Sequence, residues 1–134
     1  MQRLLIVCAA GGIGCGVRYL VALAIGPRAF PYATLTVNLV GCFLIALILE
    51  SVLRGAAISP NMKLALTTGF MGGLTTYSSF NYETTLLATG TKHVANNPDV
   101  TAKPAIAALY LGATLIGCIL CGMAGLWLAR RLTP

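Results

Sequence analysis

The sequence predicts an all-α membrane protein with four transmembrane helices, and its composition and its apolar runs carry that prediction. Of 134 residues, 57% are hydrophobic and 9% are charged, which is too little polar surface for a soluble globular protein. A helix needs about 20 mostly apolar residues to cross a bilayer. Four runs of that kind fit, at residues 4–25, 34–53, 63–89 and 104–128. Because these runs fill the chain, we expect residues 1–134 to form a single domain.

The first run begins like a signal peptide, with Arg3 ahead of an apolar stretch. It has no A-x-A cleavage site and stays apolar to Ile25, so a retained first helix is predicted. Its glycine cluster, GGIGCG, lacks the spacing of a dinucleotide-binding loop. Gly12 and Gly16 instead form a G-x-x-x-G face, which predicts close helix packing.

Two polar residues, Arg18 and Asn38, stand inside the first two runs. A charge at this depth is expensive and usually faces protein or water. Arg18 therefore either reaches the helix end or pairs within the protein, or it attracts an anion. Asn38 needs hydrogen-bond partners, and it either joins helices or offers a donor to an ion pathway. The residues alone leave both choices open.

The third run contains a stretch that opposes a continuous helix, TTGFMGGLTTYSSFNYETT at residues 67–85. Each glycine costs a helix interior roughly 1 kcal/mol relative to alanine, and hydroxyl side chains compete for backbone hydrogen bonds. Three glycines are followed at once by four hydroxyls: Gly69, Gly72, Gly73, Thr75, Thr76, Ser78 and Ser79. The third helix is therefore predicted to break near its middle. Unpaired peptide groups cost several kcal/mol each in a bilayer core, so such a break indicates an ion site.

Aromatic and weakly polar side chains recur at helical spacing beyond the expected break. Tyr77 and Phe80 are three residues apart and share a face. This spacing is typical of a core, although an anion can approach the partly positive ring edges. Tyr110, Thr114 and Cys118 follow at steps of four in the last run. They are consistent with packing or with a ladder of donors for a desolvated ion.

The remaining composition narrows the function class. Five cysteines in apolar segments argue against a disulfide framework, and we interpret them as small packing residues. Cys118 and Cys121 form a C-x-x-C, but His93 is the single histidine, so a zinc or redox site is not expected. With no paired carboxylates, phosphate loop or nucleophile beside a base, an enzyme is not predicted.

The net charge of +6 does not predict a nucleic-acid surface, because the basic residues are scattered at helix ends. Their nearly even division between the two ends gives little orientation bias. Such a chain can insert both ways round, which permits an antiparallel homodimer. The two groups are Arg3, Arg54, Lys63, Arg130 and Arg131 at one end and Arg28, Lys92 and Lys103 at the other.

Three stretches resemble the Fluc (CrcB-type) fluoride channels. They are GFMGGLTTYSSFNYET at residues 69–84, TLTVNLVGCFLI at residues 34–45, and the glycine-rich run that ends in Arg18 and Tyr19. The resemblance covers essentially the whole chain. It implies an antiparallel dual-topology homodimer in the plasma membrane, with two fluoride pores and a structural sodium ion. The backbone carbonyls of Gly72 and Thr75 would coordinate that sodium, and no organic cofactor is implied.

The resemblance also implies roles for nine side chains. The fluoride pore would be lined by Asn38, Tyr77, Ser79, Phe80, Tyr110, Thr114 and Cys118, with Arg18 and Glu83 in a vestibule or structural role. Tyr77 departs from the usual phenylalanine, and Cys118 stands where serine is common.

The implied activity is passive, selective export of fluoride, with fluoride, the lipid bilayer and a second copy of the chain as partners. Two alternatives are a small dual-topology, proton-coupled multidrug exporter and a membrane protein with a purely structural role. The exporter needs a carboxylate in its first helix, and residues 4–25 contain none. The structural role explains the glycines but not the broken helix with its hydroxyls and aromatics.

Overall fold

The computed structural model describes residues 1–90 and 102–132, and every regular element in those ranges is helical. His93 lies outside the described residues. The elements in order are α1 (Gln2–Ile25), α2 (Tyr32–Leu53), α3 (Pro60–Leu64), a π-helix (Ala65–Met71), α4 (Gly72–Leu74), α5 (Tyr77–Thr89) and α6 (Pro104–Leu132).

Three of the described helices, α1, α2 and α6, are long and apolar enough to cross a membrane. Few of their residues are buried within the single chain, as expected for helices that face lipid. The segment from α3 to α5 is the fourth helical run. It is divided at Thr75 and Thr76, so it forms two shorter pieces and no single spanning helix.

The ends of these helices follow from local residues. The Ser59 hydroxyl accepts a hydrogen bond from the Met62 amide at 3.2 Å, and Pro60 occupies the first turn of α3, where its missing N–H costs nothing. Gly26 ends α1 with a φ of 68°, a left-handed conformation that glycine adopts without a steric penalty.

The predicted break is confirmed, and it lies just after the glycines. Thr75 and Thr76 are extended, with φ and ψ of −83° and 155° and of −151° and 116°. The Thr76 hydroxyl then accepts from the Ser79 amide at 3.2 Å and caps α5, as threonine does at many helix starts. Gly69 and Gly73 lie inside helical turns and do not open the chain themselves.

Those glycines instead form what we call the glycine seam, the contact of α1 with residues 69–74. A Cβ atom at Gly14 would overlap the carbonyl oxygen of Phe70, and one at Gly73 would overlap that of Gly11. Gly69 would meet Ala10 Cβ at 2.7 Å. A side chain at Gly14, Gly69 or Gly73 would therefore force the two segments apart.

The prediction that Gly12 and Gly16 form the packing face is wrong within the chain. A Cβ at either position would have no described atom within 4 Å, and both glycines are exposed. Gly11 and Gly14 make the contact, because the third segment crosses a neighbouring face of α1.

Helices α2 and α6 also pack closely through glycine. A Cβ at Gly125 would overlap the Phe43 carbonyl oxygen, and one at Gly117 would lie 2.7 Å from Leu39 Cδ2. At one end of this pair, Glu50 Oε1 accepts from Arg130 Nε at 2.9 Å. The ion pair is at the surface, where such pairs contribute little to stability.

Candidate functional site

The broken segment is fastened to α2 by Asn38. The Asn38 side-chain oxygen accepts from the Thr76 amide at 2.8 Å, and its side-chain nitrogen donates to the Thr76 carbonyl at 3.1 Å. Both residues are buried. We call these two bonds the Asn38–Thr76 clamp. One of the two alternatives for Asn38, that it joins helices, is therefore observed.

The clamp and the Thr76 cap together leave the Gly72 and Thr75 carbonyl groups without their helical donors. In an unbroken helix the Thr76 amide would bond the Gly72 carbonyl, and the Ser79 amide would bond the Thr75 carbonyl. Here the Thr76 amide goes to Asn38, and the Ser79 amide goes to the Thr76 hydroxyl. Gly72 and Thr75 therefore lose their helical donors, and a hard cation is held by oxygen ligands of this kind.

A cavity of about 540 Å³ lies beside the break, and we call it the central groove. Seven of the residues that the sequence singled out line it: Asn38, Gly72, Thr75, Tyr77, Phe80, Thr114 and Cys118. Most of its other lining residues are apolar, so water would be poorly held there. The structure thus brings residues of α2, α5 and α6 to one groove.

Thr114 is unusual among the groove residues. It is 4% exposed, and its Oγ1 is the one buried side-chain oxygen or nitrogen in residues 1–90 and 102–132 that has no hydrogen-bond partner. Buried polar groups are nearly always paired, and each exception requires an explanation. The hydroxyl can therefore donate to a ligand in the groove without breaking a bond within the protein.

A second cavity of about 350 Å³, which we call the polar cavity, lies on the other side of Thr76. Arg18, Ser79 and Glu83 line it together with Thr34. Arg18 therefore faces a cavity and does not simply extend to the helix end. Ser79 lines this cavity and not the central groove, so the predicted pore residues are divided between two spaces.

The Glu83 carboxylate is bound by hydroxyls from two other helices. Thr34 donates to one oxygen at 2.8 Å, and Tyr110 donates to the other at 2.7 Å. Hydrogen bonds to an ionised carboxylate are short and about twice as strong as neutral ones. Tyr110 is fully buried and lines neither cavity. In the isolated chain it therefore supports Glu83 and is separate from Thr114 and Cys118.

Four aromatic rings pack against one another beside the central groove, and two of them, Tyr77 and Phe80, line it. The ring of Phe80 lies 5.3 Å from that of Tyr110 and 5.8 Å from that of Tyr77, and Phe30 meets Tyr110 edge-on at 5.4 Å. Phe80 is 4% exposed, whereas Tyr77 is 76% exposed. The two aromatics of the signature therefore differ, since one is fixed in the core and the other lies at the surface.

Comparison with known proteins identifies the family. The family model described as CrcB-like protein, Camphor Resistance (CrcB), matches residues 5–126. This chain belongs to the CrcB family. The match confirms the resemblance that the signature around the break indicated.

Relatives of this CrcB chain carry a consistent name. The protein named fluoride-specific ion channel FluC from Anaeromyxobacter sp. (strain K) is 43% identical over 98% of both chains. Its namesake from Geobacter sulfurreducens is 38% identical over 98% of this chain and its own full length. A third, from Geotalea uraniireducens, is 47% identical over 63% of this chain and 70% of its own. Together with the three membrane-competent helices, they make this CrcB chain a multi-pass cell-membrane protein.

Sequence reasoning missed two residues of the CrcB site. Thr76 was grouped with its neighbouring hydroxyls, although it makes the clamp, caps α5 and lines both cavities. The sequence does contain a signal for this role, because Thr76 stands three residues before Ser79, which is the spacing between a helix-capping residue and the amide that it caps. Thr34 is the second residue, and its bond to Glu83 has no local sequence signal.

Proposed function

We propose that this chain is a fluoride-selective channel that exports cytoplasmic fluoride passively and so gives fluoride resistance. The names of its full-length relatives support this function. The observation that carries it is Thr114, which lines the central groove and whose buried hydroxyl has no partner among the described residues. A small anion that sheds water needs a fixed donor of this kind.

The groove residues suit a compact anion for two further reasons. Asn38 has two amide protons, and the clamp uses one of them, so the second can serve the groove. The ring edges of Tyr77 and Phe80 are partly positive and attract an anion without a full charge. Fluoride enters a cell as neutral hydrogen fluoride and ionises there, and the negative interior then drives the anion outward.

The other predicted residues support the path in this proposal. Arg18 attracts anions into the polar cavity, where Ser79 adds a hydroxyl. Glu83 is held by Tyr110, which orders the wall between α5 and α6. Cys118 lines the groove where a stronger hydroxyl donor is common, and Tyr77 adds a phenol. Both substitutions affect the conduction rate more than the fold.

The proposal includes an antiparallel homodimer of this single-domain chain, with one pore for each copy and a sodium ion at the centre. The freed carbonyls of Gly72 and Thr75 suit that ion, because each has lost its helical donor. Bound sodium supplies positive charge that holds broken helices together. The exposed apolar faces of α1, α2 and α6 supply surface for a second copy as well as for lipid.

A flux assay in reconstituted vesicles tests the function. Fluoride efflux is followed with a fluoride electrode at a fixed membrane potential, and chloride efflux from matched vesicles is the control. We expect rapid fluoride efflux and at least about a hundredfold less chloride efflux, which corresponds to about 2.7 kcal/mol of discrimination. Transport that requires an imposed pH gradient would indicate the proton-coupled exporter instead, and no transport would reject both.

A second measurement tests sodium and the dimer. The purified protein is compared in sodium and in choline salts by thermal unfolding and by its mass in detergent. A ligand that binds only the native state raises stability in proportion to the logarithm of its concentration. A dimer with higher thermal stability in sodium supports the proposal. A monomer in both salts, or identical melting curves, contradicts it.

A further inference from the structure

Two cysteines from facing helices line the central groove. They are Cys42 on α2 and Cys118 on α6, and the Cys42 side chain forms part of the electrostatic surroundings of the Cys118 thiol. The helices are close here, since a Cβ at Gly122 would lie 3.9 Å from the Cys42 carbonyl oxygen. Packing alone does not require a thiol at both of these positions.

The pair has the ligand chemistry of a soft metal site with low coordination number. Thiolates select soft cations over hard ones. In the part of the chain that the structure describes, no group of three or more His, Cys, Asp or Glu side chains is placed to hold a metal. Structural zinc needs four ligands, whereas a two-coordinate ion needs only two sulfurs on opposite sides.

We propose that Cys42 and Cys118 form a chelating site for Hg²⁺ and that the bound ion closes the central groove. Each thiol loses its proton to water, two S–Hg bonds form, and neither sulfur nor mercury changes oxidation state. The product is neutral, because two thiolates balance the divalent cation. A monovalent ion such as Ag⁺ would leave one negative charge in an apolar wall, which is costly.

Binding is tested with two full-length chains. The first carries Cys8→Ser, Cys15→Ser and Cys121→Ser and keeps the pair, and the second adds Cys42→Ala. Each is loaded with HgCl₂ and dialysed against increasing concentrations of a competing monothiol. We expect the first chain to retain one mercury with the loss of two titratable thiols. The second should release its mercury at a monothiol concentration about a hundredfold lower, because it lacks the intramolecular second ligand.

Equal release from the two chains, or retention with only one thiol consumed, would overturn the chelate. Neither result depends on transport, so the binding test stands apart from the proposed fluoride function. The expected absorption of S–Hg bonds in the ultraviolet gives a spectroscopic check on the same samples.

The closing step rests on the proposed function, and flux tests it. Fluoride efflux of each variant is compared with its own value before mercury is added. We expect at least a tenfold decrease for the chain that keeps the pair, reversed by excess dithiol, and little decrease for the Cys42→Ala chain. One bound mercury with unchanged efflux would overturn the closing step and would place the fluoride path outside this groove.

Discussion

The glycine seam and the Asn38–Thr76 clamp hold the same broken segment, but they do so by different means. In the seam, α1 and residues 69–74 approach closely because Gly14, Gly69 and Gly73 have no side chain at their contact points. In the clamp, a single side chain on α2 makes two directed hydrogen bonds to one residue. The first contact depends on shape and the second on polarity. The comparison indicates that one face of the segment fixes the fold and the opposite face forms the site.

Substitution within the seam should have the largest effect on stability. In Gly14→Ala, the new Cβ would overlap the Phe70 carbonyl oxygen and lie 2.9 Å from the Leu74 amide. These are backbone atoms that cannot rotate away, so α1 must shift. We expect a loss of about 3 kcal/mol, measured by denaturant unfolding in detergent.

Gly12→Ala is the matched control, since its Cβ would meet no described atom within 4 Å. It should keep or slightly raise stability, because alanine is the better helix former. Equal effects of the two substitutions would contradict the seam as the contact that α1 requires.

Substitution in the clamp should have the next largest effect. Asn38→Leu leaves the Thr76 amide and carbonyl unpaired, so we expect a loss of about 2 kcal/mol and at least tenfold slower fluoride efflux. Hydrogen exchange at the Thr76 amide should accelerate. Unchanged exchange in Asn38→Leu would show that the break holds its shape without the clamp.

A smaller loss is expected when a support of Glu83 is removed. Tyr110→Phe keeps the ring contacts with Phe30 and Phe80 and deletes one hydrogen bond to a carboxylate, which costs about 1.5 kcal/mol. Thr34→Val deletes the other bond and is the matched variant. Thermal unfolding of the two single variants and the double variant should give a non-additive sum, because both bonds hold one group. Strict additivity would argue against a shared role.

The smallest effect on stability is expected at Thr114. Thr114→Val replaces a buried hydroxyl that has no partner, so stability should stay within about 0.5 kcal/mol of the parent or rise. Fluoride efflux should fall at least tenfold, whereas Thr114→Ser should retain it. A large loss of stability without loss of efflux would mean that the hydroxyl serves the fold and not the groove.

The transmembrane helices could be predicted because a run of about 20 apolar residues is what a helix needs to cross a bilayer. The expected run at residues 34–53 became α2 (Tyr32–Leu53), and the run at residues 104–128 became α6 (Pro104–Leu132). The break was also predictable, since clustered hydroxyls after glycines oppose a helix locally. Its position at Thr75 and Thr76 follows from the partner that Asn38 supplies.

Two kinds of contact could not be predicted from the sequence. One depends on how a helix is rotated about its axis, and the other joins residues that are far apart in the sequence. A G-x-x-x-G pattern indicates that a small face exists, but it does not indicate which face the neighbour crosses, so Gly12 was chosen where Gly14 packs. The even spacing of Tyr110, Thr114 and Cys118 predicted one continuous face, but only Thr114 and Cys118 line the central groove. It did not reveal that the Tyr110 hydroxyl donates a hydrogen bond to Glu83, because the contact between α5 and α6 is a tertiary contact.

The clamp has a consequence for which side chains position 38 can accept. Thr76 is extended and exchanges two bonds with one partner, as a residue does with its opposite neighbour in an antiparallel sheet. Asn38 thus makes the two hydrogen bonds that one residue of a neighbouring strand would make. Among side chains that stay neutral at neutral pH, only a carboxamide presents a donor and an acceptor side by side, and glutamine would carry that pair one methylene too far. A relative with any other residue at this position must satisfy its break in a different way.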